Sequence, residues 1–355
     1  MSMIDIPTLP GVTATSIETP RLSTRVLFSG PEDGTPVLFI HGNASNATYW
    51  EETMVALPAG FRGIAPDLRG YGGADRAKLV DATRGSGDWV ADAIALMDQL
   101  GHKQFHLAGH SLGGGVCWGL MRDHADRLLS VTLAATASPY GFGGTKGVDG
   151  QPCYADFAGS GGGVVNAAFV QAIADHDRSD APNSPRDVMN KLYWKPPFRA
   201  AREEELLSGL LSEHTGPQQY AGDFVASANW PNVAPGVYGP INALSPKYTG
   251  DVSKIWASPV KPPVLWVYGQ DDQIVSDNSL FDLGTLGAFG IVPGWPGVDV
   301  FPSQPMISQT RDVLAKYAAG DGSVTTLALK DCGHTPYLEY PQEFNTAFHA
   351  LLTGG

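Results

Sequence analysis

Three side chains in this sequence have the types that acyl-transfer chemistry needs: a serine, a histidine and an aspartate. Ser111 lies in the sequence GHSLG at residues 109–113, between the apolar run 105–108 and a glycine-rich segment with helical spacing. This G-x-S-x-G pattern is typical of a nucleophile elbow, in which small residues let a strand and a helix approach closely. A serine hydroxyl is a poor nucleophile at neutral pH, so it needs a histidine base and a carboxylate that orients the base.

His334 is the candidate base. It follows a glycine in a loop directly after the last predicted strand, a combination that sets it apart among the nine histidines. Asp272 is the candidate acid, in the loop after the predicted strand 264–268. Its neighbour Asp271 is an alternative that the spacing alone does not exclude. The earlier strand end after 128–133 carries no carboxylate, which favours the later loop.

Two backbone N–H groups are candidates for an oxyanion hole. Leu112 directly follows Ser111 at the start of a predicted helix, where the helix dipole also favours negative charge. Asn43 follows the predicted strand 37–40 in the sequence HGNAS. For His41, the first residue of that sequence, we expect a bracing role in the loop that presents the Asn43 amide.

Alternating strand and helix signals position these residues. Strands are predicted at 25–28, 37–40, 61–65, 105–108, 128–133, 264–268 and 324–329. Helical spacing of apolar residues predicts helices at 47–57, 87–100 and 342–352. This alternation indicates βαβ units, and hence an α/β fold with a mostly parallel central sheet flanked by helices.

The alternation breaks near Ser138 and resumes near residue 260. We therefore predict a core built from residues 1–138 and 260–355, with residues 139–259 inserted between its two parts as a cap or lid. A further apolar excursion, rich in glycine and proline, spans 277–322 within the core. Long irregular segments in compact proteins are usually functional or disordered, and the apolar content here argues against disorder.

Substrate contacts are predicted on both sides of the nucleophile. Ligand pockets are lined mainly by apolar and aromatic side chains with a few polar groups. Trp194 in the insertion and Trp295 in the late excursion are the aromatic candidates, and His41 and His110 are the polar ones. The size of both segments favours a bulky, hydrophobic small molecule.

Composition disfavours several other classes of function. The formal charge is −13 and no Lys/Arg cluster stands out, so nucleic acid and anionic membrane surfaces are poor partners. No apolar run approaches the length of a membrane span, and the N-terminus lacks the pattern of a signal peptide. The three cysteines lack metal spacing and do not suggest a disulfide framework. We expect a cytoplasmic protein without metal or cofactor. The composition does not indicate its oligomeric state.

Five short motifs in this order resemble those of the α/β-hydrolase superfamily: HGN at 41–43, DLRGYG at 67–72, GHSLGG at 109–114, G-x-x-D-x-x-V at 269–275 and GH at 333–334. The resemblance covers residues 20–138 and 260–353. It implies that Ser111 is the nucleophile, His334 the base and Asp272 the acid, because the family's acid is the last residue of G-x-x-D. It also implies that the insertion is a cap closing over the site.

Departures from the patterns of several branches of this superfamily narrow the choice of branch that the chain resembles. Haloalkane dehalogenases and most epoxide hydrolases of this fold use an aspartate where this chain has Ser111. Proline iminopeptidases carry Gly-Gly-Pro-Gly after the first histidine, where residues 43–46 here read NASN. The carbon–carbon hydrolases of aromatic degradation commonly have tryptophan after the catalytic histidine, where this chain has Thr335. These departures favour an esterase or lactonase.

The sequence therefore predicts a serine hydrolase that cleaves a bulky, hydrophobic carboxylic ester or lactone through an acyl-enzyme. One alternative is a hydrolase that breaks a carbon–carbon bond in a diketone-type substrate. The other is a ligand receptor that keeps the triad but turns over little, since a fold does not fix a function.

Overall fold

An eight-stranded β-sheet forms the centre of the computed structural model, which describes residues 6–354. Its strands are β1 (Val12–Glu18), β2 (Ser23–Ser29), β3 (Thr35–Ile40), β4 (Phe61–Pro66), β5 (Phe105–His110), β6 (Leu128–Ala134), β7 (Val264–Gly269) and β8 (Val324–Leu329). Residues 1–5 and 355, which the predicted core ranges include, lie outside the described residues.

The order of the strands across the sheet is β1-β2-β4-β3-β5-β6-β7-β8. β2 pairs antiparallel with both β1 and β4, whereas the pairs from β4 to β8 are parallel. Each residue of β5, at the centre, is buried, as expected for a strand covered on both faces. The predicted α/β fold with a mostly parallel sheet is confirmed.

Twelve α-helices lie within residues 6–354: α1 (Glu51–Val55), α2 (Gly87–Gln99), α3 (Gly113–Asp123), α4 (Ala167–Ala174), α5 (Pro185–Val188), α6 (Glu203–Leu210), α7 (Pro240–Ala243), α8 (Ser253–Ala257), α9 (Leu283–Ala288), α10 (Met306–Ala319), α11 (Pro336–Glu339) and α12 (Pro341–Thr353). Helices α2, α3 and α10 contribute Trp89, Val116 and Val313 to the core on one face of the sheet. Helix α12 contributes Phe344 and Phe348 to the core on the other.

Strand β1 and helix α10 are among the elements that were not predicted from the sequence. Strand β1 lies at the sheet edge and is largely exposed, so its polar residues hide the apolar alternation of a strand. Helix α10 lies inside the excursion 277–322, which the sequence presents as irregular. Its buried face includes polar residues such as Gln309 and Thr310, and these interrupt the apolar stripe by which a helix is recognised.

The chain between β6 and β7, residues 139–259, carries helices α4–α8 and two short antiparallel ribbons. The ribbons pair Thr145–Lys146 with Gln151–Pro152, and Phe224–Ala226 with Val233–Pro235. Buried side chains of this insertion, including Met189 and Leu207, share one apolar cluster with Trp50 of the core. The insertion therefore packs directly on the elements that follow β3.

Polar side chains connect the start of the insertion to helix α10. The Ser138 hydroxyl donates to Gln309 Oε1 over 2.7 Å, and Gln309 Nε2 donates to Thr145 Oγ1 over 3.1 Å. The Gly143 N–H donates to Gln304 Oε1 over 2.6 Å. These buried, satisfied bonds fix the chain where it leaves the sheet. Within residues 6–354 no helix is both long and apolar enough to cross a membrane.

Candidate active site

Ser111 lies at the sharp turn between β5 and α3, with a backbone φ of +53°. Its N–H donates to the Ala134 carbonyl over 3.2 Å, and its carbonyl accepts from the Ala137 N–H over 3.0 Å. A Cβ on Gly113 would lie 2.6 Å from the Ile40 carbonyl oxygen, so glycine permits the helix to start this close to β3. A positive φ costs a non-glycine residue about 1–3 kcal/mol and is typical of functional sites.

His334 and Asp272 meet at the carboxyl ends of β8 and β7. His334 Nδ1 is 2.7 Å from Asp272 Oδ2, and the two side chains are 3% and 1% exposed. The other carboxylate oxygen accepts the N–H groups of Ile274 and Val275 over 2.7 and 2.9 Å. Because the carboxylate fixes a proton on Nδ1, His334 Nε2 is left as the basic nitrogen.

Asp271 takes a different direction from its neighbour. It is exposed, and its carboxylate pairs with Lys195 Nζ at 3.0 Å. Its N–H donates to the Cys332 carbonyl over 3.0 Å, which holds the end of β7 against the His334 loop. A Cβ on Gly269 would overlap the carbonyls of Cys332 and Gly333, so a larger residue would separate the two loops. The geometry thus orients Asp272, and not Asp271, toward the histidine.

Glu339 holds the loop on both sides of His334. Its Oε2 accepts the Gly333 N–H over 2.8 Å, and its Oε1 accepts the Thr335 N–H over 3.1 Å. Its Oε2 also accepts the Lys195 N–H over 2.8 Å, which brings in the insertion. This residue was not predicted from the sequence, because a glutamate at the end of a short helix has no motif that marks it.

The insertion also contacts the His334 loop through its own backbone. The Tyr193 carbonyl accepts the His334 N–H over 3.1 Å and the Thr335 hydroxyl over 3.0 Å. Lys195 Nζ lies 2.6 Å from Asp331. Residues 193–195 therefore clasp the loop that carries the candidate base.

His110 packs against His334, with ring centroids 4.7 Å apart. Burial lowers the pKa of His110 well below its usual value, with a smaller contribution from the nearby His334. The neutral ring donates from Nε2 to the His334 carbonyl oxygen over 2.8 Å. His110 Nε2 thus holds the His334 loop, while its Nδ1 has no hydrogen-bond partner among residues 6–354, and its binding of substrate stays a prediction.

The loop after β3 reaches Ser111 from the other side. A Cβ on Gly42 would lie 3.0 Å from Ser111 Cβ, so the Asn43 amide follows directly beside the nucleophile. Leu112 immediately precedes α3, at a helix start where N–H groups have no intrahelical acceptor. The two amides predicted for an oxyanion hole thus belong to backbone segments adjacent to Ser111.

His41 braces that loop and is fully buried. Its Nε2 accepts the Leu68 N–H over 3.0 Å, so Nδ1 carries the proton and donates to the Gly42 carbonyl over 2.8 Å. Burial lowers the pKa of His41 to about 4, which keeps the ring neutral. Both ring nitrogens are engaged, so His41 has none to offer a substrate. The bracing role fits this geometry, and the predicted substrate contact does not.

The two tryptophans predicted as substrate contacts lie in different places. Trp194 is 1% exposed, packs edge-on against Phe198, and its backbone lies beside Gly333 in the histidine loop. Trp295 donates from Nε1 to the Phe301 carbonyl over 2.9 Å, within the late excursion. Trp194 is thus next to the site, whereas the contacts of Trp295 belong to its own segment. Their binding of substrate stays a prediction.

Metal-ligating side chains are not grouped in the described part of the chain: residues 6–354 contain no set of three His, Cys, Asp or Glu placed to hold an ion. His106, which shares a suggestive i, i+4 spacing with His110, instead bonds Ser130 Oγ through Nδ1 at 2.7 Å. Burial lowers the pKa of His106 to about 4. The side chain is a buried, hydrogen-bonded histidine of the sheet.

Comparison with known proteins agrees with this architecture. A family model described as the α/β hydrolase fold matches residues 35–151. The chain is 33% identical over 119 residues to a 2-hydroxymuconate semialdehyde hydrolase of Pseudomonas sp. (strain CF600), which covers 33% of this chain and 41% of that protein. It is 29% identical over 252 residues to a non-heme chloroperoxidase of Streptomyces lividans, which covers 69% of this chain and 77% of that protein.

A solved structure resembles the whole chain. The 2-hydroxy-6-oxo-6-phenylhexa-2,4-dienoate hydrolase of Rhodococcus sp. strain RHA1 matches with a TM-score of 0.60 and 17% identity, over 96% of this chain and 99% of that chain. Such low identity speaks for the fold alone. The chain spans about two fifths of the length of several curated relatives, 37–41% in three cases. The family model over residues 35–151, the sheet order and this likeness together show that the chain has the α/β-hydrolase fold.

Proposed function

We propose that the protein is a serine hydrolase that cleaves a carboxylic ester or lactone through Ser111, His334 and Asp272. The observation that carries the proposal is the buried hydrogen bond of 2.7 Å between His334 Nδ1 and Asp272, at the same sheet edge as the strained Ser111. A serine on an elbow with an oriented histidine base is the arrangement that nucleophilic acyl transfer requires.

The proposed mechanism follows from the proton positions. His334 Nε2 takes the proton of Ser111 as its Oγ attacks the carbonyl carbon, and Asp272 stabilises the resulting imidazolium. The N–H groups of Asn43 and Leu112 bind the oxyanion of the tetrahedral intermediate. His334 then gives its proton to the leaving alkoxide, which leaves an acyl-enzyme on Ser111. Water, deprotonated by His334, attacks the acyl-enzyme and releases the acid.

We further propose that residues 139–259 act as a cap that selects a bulky, hydrophobic substrate. The support is the contact of this segment with both sides of the site through Tyr193, whose carbonyl accepts the His334 N–H over 3.1 Å and whose hydroxyl donates to the Ala44 carbonyl over 3.0 Å. The cap also supplies many aromatic side chains to the apolar cluster on that face. A panel of p-nitrophenyl esters from acetate to decanoate tests this: preference for acetate would contradict it.

The Ser111→Ala variant tests the nucleophile. We expect kcat for the best ester or lactone of the panel to fall on the order of a million-fold, because the base has nothing to activate. A fluorophosphonate probe should add its mass to the unaltered protein and leave Ser111→Ala unlabelled. Ser45→Ala is a matched control, since Ser45 also lies near the site but donates to the Gly42 carbonyl. Near-normal turnover or labelling of Ser111→Ala would overturn the proposal.

Cleavage of a carbon–carbon bond is a second candidate, favoured by the 33% identity over 119 residues with a 2-hydroxymuconate semialdehyde hydrolase. The same serine could attack a ketone carbonyl, with a carbanion as the leaving group. Parallel assays with an aryl β-diketone and the matched aryl ester separate the two. Faster turnover of the diketone would replace the ester proposal, and Ser111→Ala should abolish either reaction.

A further inference from the structure

Glu213 is a buried carboxyl that the proposed mechanism does not use. It lies in the insertion shortly after α6 and is only 3% exposed. Neither of its carboxyl oxygens has a hydrogen-bond partner among residues 6–354. No lysine or arginine of that part of the chain forms an ion pair with it. Leaving a buried polar group unpaired costs stability, so each such group calls for an explanation.

The neighbours of Glu213 belong to the proposed oxyanion loop and to three tyrosines. The Tyr71 hydroxyl donates to Asn43 Oδ1 over 2.9 Å, and the Tyr193 hydroxyl donates to the Ala44 carbonyl over 3.0 Å. Both hydroxyl protons are therefore already used. Tyr220, which is 4% exposed, is the third tyrosine around the carboxyl.

The backbone on either side holds Glu213 against the core. The Ser212 carbonyl accepts the Gly72 N–H over 3.0 Å, and the His214 N–H donates to the Gly70 carbonyl over 2.9 Å. His214 also bonds the Gly72 carbonyl through Nε2 at 3.0 Å. The inward direction of the Glu213 side chain is thus fixed by residues bonded on both sides of it.

Burial favours the neutral form of the carboxyl. Burial raises the pKa of Glu213 well above its usual value, and the nearby Ala44 N–H and Tyr71 hydroxyl oppose this only partly. Neither neighbour makes a hydrogen bond of ordinary geometry with it. The neutral group offers one O–H donor and one carbonyl acceptor, and the described residues use neither.

We propose that Glu213 recognises a hydroxyl group on the acyl part of the substrate, close to the scissile carbonyl. The position follows from the chain: Asn43, whose N–H is proposed to bind the carbonyl oxygen, is adjacent to Ala44, against which Glu213 lies. A hydroxyl two carbons from the carbonyl carbon is the probe chosen for this position. The inference rests on the proposed function, and it narrows the substrate class to hydroxyacyl esters or lactones.

A site whose buried polar group bonds a substrate hydroxyl discriminates against an analogue that lacks the hydroxyl. We expect the kcat/KM for p-nitrophenyl 3-hydroxydecanoate to exceed that for p-nitrophenyl decanoate by about 10- to 100-fold. In Glu213→Leu this ratio should fall to near one. Glu213→Gln, which keeps a donor and an acceptor, should keep part of the ratio. A wild-type ratio near one, or a ratio unchanged in Glu213→Leu, would overturn the inference.

Binding of ketone analogues separates this inference from the proposed hydrolysis. The protein should bind 4-hydroxyundecan-2-one about tenfold or more tightly than undecan-2-one by calorimetry, and Glu213→Leu should remove the difference. If that holds while no ester is cleaved, the hydrolase proposal fails and the recognition of a hydroxyl stands. If esters are cleaved but neither assay depends on Glu213, the hydrolase proposal stands and the role of Glu213 is structural. Thermal unfolding of both variants confirms that they fold.

Discussion

The two sides of Ser111 are built in opposite ways. On the His334 side, every carboxylate oxygen near the histidine accepts hydrogen bonds: Asp272 binds the ring and two N–H groups, and Glu339 binds the loop. On the Asn43 side, Glu213 is equally buried, yet both of its oxygens lack partners in the described residues. The carboxylates of the first side are fully bonded without a ligand, whereas the Glu213 carboxyl on the second side has hydrogen-bonding capacity to spare.

Under the proposals above, the His334 side carries out the reaction and the Asn43 side sets its substrate specificity. Hydrogen bonds made within the protein hold His334, the proposed base, in one orientation for any substrate, which is the preorganisation that catalysis needs. Unused capacity on the other side acts only when a particular substrate completes it. The contrast also runs along the chain: Asp272 and His334 belong to loops of the sheet, while Glu213 belongs to the insertion.

Among the substitutions that compare the two sides, Asp272→Asn should cause the largest loss of activity. An asparagine keeps the shape but fixes the wrong histidine tautomer, so we expect kcat to fall on the order of 10⁴-fold. Asp271→Asn is the matched control: this exposed neighbour pairs only with Lys195, and kcat should change less than about threefold. Steady-state kinetics on the best ester measure both. Equal losses in the two variants would mean that the His334 side is not organised around Asp272.

The sequence predicts the candidate residues of the His334 side from their places in the chain. Ser111, His334 and Asp272 each follow a predicted strand, and parallel strands bring their carboxyl ends to one edge. The choice of Asp272 over Asp271 came from the resemblance to a family, because the spacing alone left it open. The structure adds the physical reason, which is that the two adjacent side chains point in different directions.

Glu339, Glu213 and helix α10 could not be predicted from the sequence for a common reason. Their roles depend on contacts between residues far apart in the chain, such as Glu339 with Lys195 or Gln309 of α10 with Ser138. The spacing of apolar residues along the chain does not indicate which polar side chains are buried against each other. His214 likewise lies in a polar stretch of the sequence, yet the fold buries it against the Gly72 carbonyl.

Glu339→Ala should have the next largest effect. Removing the carboxylate frees the N–H groups of Gly333 and Thr335, so the His334 loop loses its anchor and kcat should fall about 10- to 100-fold. KM should change little, since Glu339 bonds backbone groups of the loop. Glu339→Gln keeps one carbonyl oxygen as an acceptor and should recover part of the rate. A change confined to KM would show that Glu339 acts on substrate and not on the position of His334.

The smallest expected effect is on the free energy of unfolding. It is also the most direct test of the unused hydrogen-bonding capacity of Glu213. Glu213→Gln replaces a buried carboxyl with a neutral isostere, and we expect the free energy of unfolding at pH 8 to rise by roughly 1–3 kcal/mol. The folded pKa of Glu213 is raised above its unfolded value, so the wild-type carboxyl stabilises the fold at low pH and loses that contribution as pH rises. The gain from Gln should therefore shrink between pH 8 and pH 5 in urea unfolding.

Asp272→Asn provides the comparison for that measurement. Its carboxylate oxygens are bonded to His334, Ile274 and Val275, so the substitution weakens existing bonds and should bring no gain in stability. If the substitution at position 213 stabilises the fold and the one at position 272 does not, the chain keeps Glu213 at a cost to its stability. Residues that bind substrate often carry such a cost. A loss of stability in Glu213→Gln would instead mean that the carboxyl is a structural element, and the two sides of Ser111 would no longer differ in kind.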